Sequence, residues 1–229
     1  AVYENIRKFL AYILTSNIPE VIPYLAFALF KIPLPLTIIQ ILAVDLGTDM
    51  LPALGLGAAK PEPGSMARPP RPRKERLLDW RLLVRAYLFL GILEAIVAMA
   101  AYFFVLHGSG WQWGESLGSH DPLYLQATTA CLSAIIVTQI VNVFLCKTPG
   151  RSVFSTSLFD NHIILWGIAL EIALILAMDY TDWGNLIFGT MPIAPEVWLF
   201  VLPFAIGMLL LEEVRKFAVA KLSGRLKIT

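Results

Sequence analysis

The sequence predicts an all-α membrane protein, a bundle of six transmembrane helices with both termini on the cytoplasmic side. Three observations carry that prediction. Of 229 residues, 57% are hydrophobic and 15% charged, with a mean hydropathy of +0.69, far more apolar than a soluble domain. Six stretches are long enough to cross a hydrocarbon core, which takes about 20 residues of helix. The basic residues also fall on alternate connections, 17 of the 18 on one side of a six-span arrangement, so the positive-inside rule puts both ends in the cytoplasm.

Taken in order, the spans run from Phe9 to Phe30, Leu34 to Leu56, Leu82 to Leu106, Leu123 to Leu145, Ile163 to Tyr180 and Val197 to Leu211. Arg7 and Lys8 precede the first. Eight bases from Lys60 to Arg85 crowd the second link and the start of the third span, Lys147 and Arg151 lie in the fourth link, and five more from Arg215 to Lys227 form the tail. Lys31 is the exception. The opposite links carry Trp111, Trp113, Trp183 and Trp198, the residues that anchor helix ends at a membrane interface. By function the chain divides into 1–56, two spans with the main candidate ion-binding residues, 57–81, a cytoplasmic loop, and 82–229, four further spans and a basic tail. The loop, rich in proline and arginine, is expected to be extended rather than helical, either a solvated linker or a docking segment. Cys131 and Cys146 both sit in the fourth span, too few for a disulfide framework or a zinc site, and read as packing residues. A net charge of +1 with no clustered basic patch argues against a nucleic-acid partner. The start, AVYENIRKFL, carries no convincing signal peptide and reads as the interior of a longer protein.

Function lies in what a passive bundle would not keep. Glu20, Asp45, Asp49, Glu94 and Glu171 fall inside predicted spans. An acid near the bilayer centre costs about 3 kcal/mol on insertion scales, so five cost roughly 15 kcal/mol unless protons, partners or bound cations offset them. No span offers enough lysine or arginine at matching depth. In the first span Tyr12, Ser16 and Glu20 stand four apart, with Asn17 three before Glu20, so hydroxyl, amide and carboxylate oxygens share one helical face. Asp45, Thr48 and Asp49 share a face of the second. Such an all-oxygen inventory suits hard cations and disfavours zinc or copper. Pro19 and Pro23 free the carbonyls of Thr15 and Pro19, Pro52 frees that of Thr48, and Gly47 loosens the same helix. Interrupted backbone at membrane depth is tolerated where it lines a site.

These residues resemble a known family. SNIPEVIPYL and PLPLTIIQILAVDLGTDMLPALGLGAAKPEPGSMARPPR are similar to the fifth and sixth membrane helices of type II P-type cation-transporting ATPases, and LCKTPGRSVFS and LLLEEVRKF resemble the eighth-to-ninth connection and the end of the tenth helix. The resemblance spans essentially the whole chain and is closest in motif to sodium/potassium-pump-like members. It implies that Asn17, Glu20, Asp45, Thr48 and Asp49 are cation ligands, with Ser16 nearby where proton/potassium pumps carry lysine. Asp45, where calcium pumps have asparagine, and Gln139, where they have glutamate, lean toward Na+ or K+, with Ca2+ the alternative. Tyr12 and Glu171 match two members of a third sodium site, while Asn142 stands where that site has aspartate. Glu94 reads as a protonated, hydrogen-bonded packing residue, and Asp179 and His162, near span ends, as solvated or capping groups.

The resemblance further implies a chain lying in the plasma membrane as a multi-pass part of a pump. Its partners are the lipid bilayer and the pump's remaining membrane helices and cytoplasmic domains, with an accessory subunit left open. ATP and Mg2+ act only in the parent pump, because the chain has no DKTG phosphorylation motif, TGES segment or nucleotide-binding loop and is expected to be inactive alone. The helix entering the first span, through ENIRK, is expected to extend a cytoplasmic stalk. A reading from another class, an ATP-independent transporter or channel, would show a repeated half, and the sequence shows none.

Overall fold

A computed structural model describes residues 2–60, 76–155, 157 and 159–225. The described residues are helical and include six helices long and apolar enough to cross a membrane. The Pro/Arg-rich part of the second link, 61–75, lies outside them, and so does the expectation that it is extended.

Helix α1 (Val2–Phe30) is the first span and already includes the ENIRK stretch. Pro19 and Pro23 sit inside it without ending it. Lys31, at φ 51°, and the prolines at 33 and 35 do end it. The second span starts at α2 (Ile38–Leu42), later than the apolar run, because Thr37 caps it. The Thr37 hydroxyl accepts from the Gln40 N–H at 3.4 Å while the Gln40 side chain accepts from the Thr37 N–H at 3.1 Å, a reciprocal capping box. The chain then passes through a π-helical segment, Ala43–Thr48, before α3 (Met50–Gly57). The third span repeats that design: α4 (Trp80–Leu83), capped by Asp79, runs through π-helical Val84–Gly91 into α5 (Ile92–Gly108). Helices α6 (Pro122–Lys147) and α7 (His162–Tyr180) follow. Thr181 then caps a short helix, α8 (Asp182–Phe188), that apolar periodicity did not announce. Helix α9 (Pro195–Arg225) overruns the expected sixth span because its charged tail continues the helix.

Helix α6 is the pillar of the bundle. Its most apolar window is 78% buried, against 28–44% for the other spans. It packs along α5 and also touches α1, α3, α7 and α9, while α3 lies on α7. Side chains such as Leu46, Leu88, Trp166 and Leu199 face outward, as a lipid-facing surface requires. Of the four interfacial tryptophans, Trp113 and Trp183 are exposed. Trp111 instead is buried, donating its indole N–H to the Glu115 carbonyl at 3.0 Å, so it packs against the core rather than reaching outward.

Small residues set how closely the spans approach. A Cβ at Gly91 would stand 2.7 Å from Cβ and Cγ1 of Ile18, and one at Gly167 would stand 2.9 Å from the ring of Pro52. These contacts bring α1 to the third span beside Asn17 and Glu20, and α7 to α3 one turn from Asp49. The first turns of α1 hold both described ends of the second link: Asn5 Nδ2 donates to the Ala59 carbonyl at 2.6 Å, the Tyr3 hydroxyl to the Arg76 carbonyl at 2.7 Å, and Arg7 to Asp79 at 2.7 Å.

Candidate functional site

Along α1, Tyr12, Ser16 and Glu20 are all buried, the inward face that their spacing of four predicted, and Asn17 is half-buried. Across from them, Thr48 and Asp49 are buried and Asp45 half-buried. The Tyr12 hydroxyl donates to Asp49 Oδ1 at 3.1 Å and so ties the first span to the second. Ser16 donates to the Ile13 carbonyl at 3.0 Å, leaving its oxygen lone pairs free to accept.

The π segment shapes the backbone here. The Asp49 N–H reaches five residues back to the Val44 carbonyl at 2.9 Å, and the Thr48 hydroxyl donates to that same carbonyl at 3.0 Å. Pro52 offers no N–H to the Thr48 carbonyl. Such wide turns occur disproportionately at functional positions.

Other helices bring further groups to Asp49. Glu171, on α7 one turn beyond the Gly167–Pro52 contact, is fully buried, and neither carboxylate oxygen has a hydrogen-bond partner. Glu94, on α5 one turn beyond the Gly91–Ile18 contact, is fully buried as well. Glu20 lies within electrostatic reach of Asp45 and Asp49, and Glu94 within reach of Asp49 and Glu20. Asp49 acts on Glu171, and Asp49, Glu171 and Glu94 all act on Tyr12. Acids from four spans thus lie within electrostatic reach of Asp49, and Tyr12 touches it directly.

Within that cluster one oxygen each of Glu20, Asp49 and Glu94, and both of Glu171, are buried without a partner. Nearly all buried polar atoms in proteins are paired, so this concentration sets the cluster apart from the rest of the described residues. The acids do not close a cage by themselves: among the described residues, no group of three His, Cys, Asp or Glu side chains could hold a metal ion. Ser16 and Asn17 on α1 and Thr48 in the π-helical segment add hydroxyl, amide and carbonyl oxygens to the same two spans.

On α6, Gln139 and Asn142 are fully buried and face Glu94. Gln139 Nε2 donates to Glu94 Oε2 at 2.9 Å, Asn142 Nδ2 donates to Gln139 Oε1 at 3.3 Å, and the Cys146 thiol donates to Asn142 Oδ1 at 3.3 Å. Glu94 is thus buried and hydrogen-bonded. Cys131 and Cys146 are buried and unpaired with each other, as packing residues would be.

Asp179 departs from its expected solvated or capping role. It is fully buried, with Oδ2 accepting from Ser133 at 2.8 Å and Oδ1 unpartnered. A helix end packed under α8 and the connection that follows it is not exposed, which position in the chain does not reveal. His162, at the start of α7, is exposed as expected. Arg85 likewise is more than a topological charge: it donates to buried Glu212 at 2.9 Å and to the Leu145 carbonyl at 3.0 Å, and Arg215 donates to Glu212 at 2.6 and 2.7 Å. A cleft of about 420 Å³ between the first and third links, lined in part by Lys31, Glu115 and Tyr124, contains none of the intramembrane acids.

A family described as cation transporting ATPase, C-terminus, matches residues 33–218. The chain belongs to that family. It is 30% identical to the sodium/potassium-transporting ATPase subunit alpha of Tetronarce californica, 31% to subunit alpha-1 of Catostomus commersonii and 32% to subunit alpha-3 of Homo sapiens. Each likeness covers 97% of this chain and 24% of the relative, so the chain spans about a quarter of the length of these curated relatives. It is a C-terminal membrane region of a P-type ATPase, an integral multi-pass membrane protein.

Proposed function

We propose that this chain is the cation-binding part of an ATP-driven pump for monovalent cations, Na+, K+ or both, and that Asn17, Glu20, Asp45, Thr48 and Asp49 hold the cation. The unpartnered carboxylate oxygens around Asp49 carry this reading. Taking acids from water into the membrane is costly without counter-charge, and a transported cation supplies it. Ser16 and Tyr12 border the site, the hydroxyl of Tyr12 fixing Asp49 by its 3.1 Å hydrogen bond. Glu171 and Tyr12 belong to its flank toward α7.

Sodium and potassium are favoured over calcium by Asp45 and Gln139, where the resemblance gives calcium pumps asparagine and glutamate, and by the names of the relatives. The chain lies in the plasma membrane with both termini cytoplasmic. In the parent pump, ATP with Mg2+ phosphorylates a cytoplasmic aspartate, and α1, continuous from the cytoplasmic end through Glu20, transmits that event to the site. The pump's remaining membrane helices supply the other ligands.

The test is phosphoenzyme formation from labelled ATP by the full-length pump, titrated separately with Na+ and Ca2+ at fixed pH. Sodium is expected to stimulate it and potassium to speed its decay, with Asp49→Asn abolishing the cation dependence. Stimulation by calcium alone would overturn the monovalent assignment, and normal cation-dependent phosphorylation in Asp49→Asn would remove the site.

A further inference from the structure

We infer that Glu94, in the third span, is a further ligand for the transported cation, and that Gln139 is a positioning residue that presents it. This rests on the functional reading above and adds a helix to the site.

The first ground is the use of the Gln139 amide at both ends. Its nitrogen donates to Glu94 Oε2 at 2.9 Å, and its oxygen accepts from Asn142 at 3.3 Å. Asn142 is held in turn by the Cys146 thiol at 3.3 Å. These residues, at 139, 142 and 146, stand on one face of α6, and the chain of hydrogen bonds fixes which end of the amide meets Glu94. The atom of the pair with no partner is Glu94 Oε1, on a side chain that is fully buried.

The second ground is position. Gly91 lets α1 approach so closely that a Cβ would stand 2.7 Å from Ile18, between Asn17 and Glu20 in the chain. Glu94 follows one turn later, immediately after the π-helical segment Val84–Gly91. A carboxylate kept only for packing would find its second oxygen a donor. Here the second oxygen is left open within electrostatic reach of Asp49 and Glu20, where a cation completed by neutral oxygens would satisfy it.

The experiment uses the full-length pump and measures the concentrations of Na+, K+ and Ca2+ that give half their maximal effect on phosphoenzyme level. Glu94→Gln is expected to raise that concentration about tenfold or more for the transported cation, since it removes one charged ligand, with Glu94→Asp intermediate. Gln139→Ala should raise it as well, and the double variant Glu94→Gln, Gln139→Ala should be no worse than Glu94→Gln alone, because Gln139 acts through Glu94. Each variant is first checked for an unchanged unfolding temperature in detergent, and if Glu94→Gln does not fold, Glu94→Asp decides. Half-maximal concentrations within twofold of the parent, while Asp49→Asn still abolishes cation dependence, would make Glu94 a packing residue and leave the central site intact. Additive effects in the double variant would make Gln139 an independent contributor and overturn its positioning role. If Asp49→Asn were also without effect, it is the central site that would fall.

Discussion

Replacing Gly91 by alanine tests the closeness on which the site depends. The added Cβ would lie 2.7 Å from both Cβ and Cγ1 of Ile18 and 2.9 Å from the Ala86 carbonyl, whereas ordinary contact begins at 3.4 Å. The two helices would have to part by about 3.4 − 2.7 = 0.7 Å. No trimming of Ile18 short of glycine relieves this, because its Cβ is itself one of the colliding atoms. Overpacking of this kind costs about 1–3 kcal/mol, and the better helix propensity of alanine returns up to about 1 kcal/mol, so the net loss is about 1–2 kcal/mol. Gly207, in α9, has open space where a Cβ would stand, with no atom within 4 Å, and serves as the control. The assay is the rate at which the detergent-extracted pump loses its fold at one fixed temperature. Gly91→Ala should accelerate it by up to about 5- to 30-fold, the factor equivalent to 1–2 kcal/mol, with Gly207→Ala neutral or protective. A Gly91→Ala pump as durable as Gly207→Ala would refute the close approach of the first and third spans.

Other outcomes follow from particular contacts. Removing Arg85 by Arg85→Ala leaves Glu212 buried with only Arg215, and breaking such a buried ion group costs about 3–5 kcal/mol, so the variant should fail to accumulate folded, as read by fluorescence size-exclusion in detergent; normal yield would mean the pair is dispensable. Ser133→Ala strips Asp179 of its hydrogen bond and should lower the unfolding temperature by the equivalent of about 1–3 kcal/mol, with Ser133→Thr largely restoring it. Asp79 caps α4 through the Leu82 N–H at 2.8 Å, and Asp79→Ala should cost about 0.5–2 kcal/mol in the same measurement, against little for Asp79→Asn. At Asp79 burial pushes the carboxyl up, but the Arg7 hydrogen bond, the Leu82 N–H and the charges of Arg7 and Arg81 outweigh it and hold it below the ordinary range. At Asp160 the hydrogen bond from Lys147 does the same against the pull of burial. Both carboxyls are therefore depressed in the folded chain, so their contribution to stability is present above the ordinary carboxylate range and lost as the pH falls through the folded values. A stability profile flat across the acid range, or one indifferent to Asp79→Ala, would contradict this.

Much of this arrangement was legible in the residues. Long apolar runs and alternating basic links give six spans because a bilayer punishes any other reading, and spacings of four put Tyr12, Ser16 and Glu20 on a single inward face. The boundaries moved where local chemistry overruled hydropathy: Thr37 delays α2, and the charged tail prolongs α9. Neither π-helical segment could be read, since one residue of extra winding leaves an apolar run looking the same. Asp179 was misjudged, and the partners of Glu94 and Arg85 went unseen, for a shared reason. Each meets a partner 46, 45 and 127 residues away in the chain, Ser133, Gln139 and Glu212, and burial conferred by distant partners leaves no local signature. A hint did exist for Glu94 in Gly91, three residues earlier, the small residue that admits a neighbouring helix.

The two π-helical segments, Ala43–Thr48 and Val84–Gly91, enter the second and third spans from opposite ends, and each lies just ahead of an acid, Asp49 and Glu94. A π turn holds one more residue than an α turn. If such a segment rewinds to α geometry, the helix beyond it turns by about 100° and advances about 1.5 Å, the increments of a single helical residue. Rewinding either segment would therefore turn its acid out of register by one helical residue.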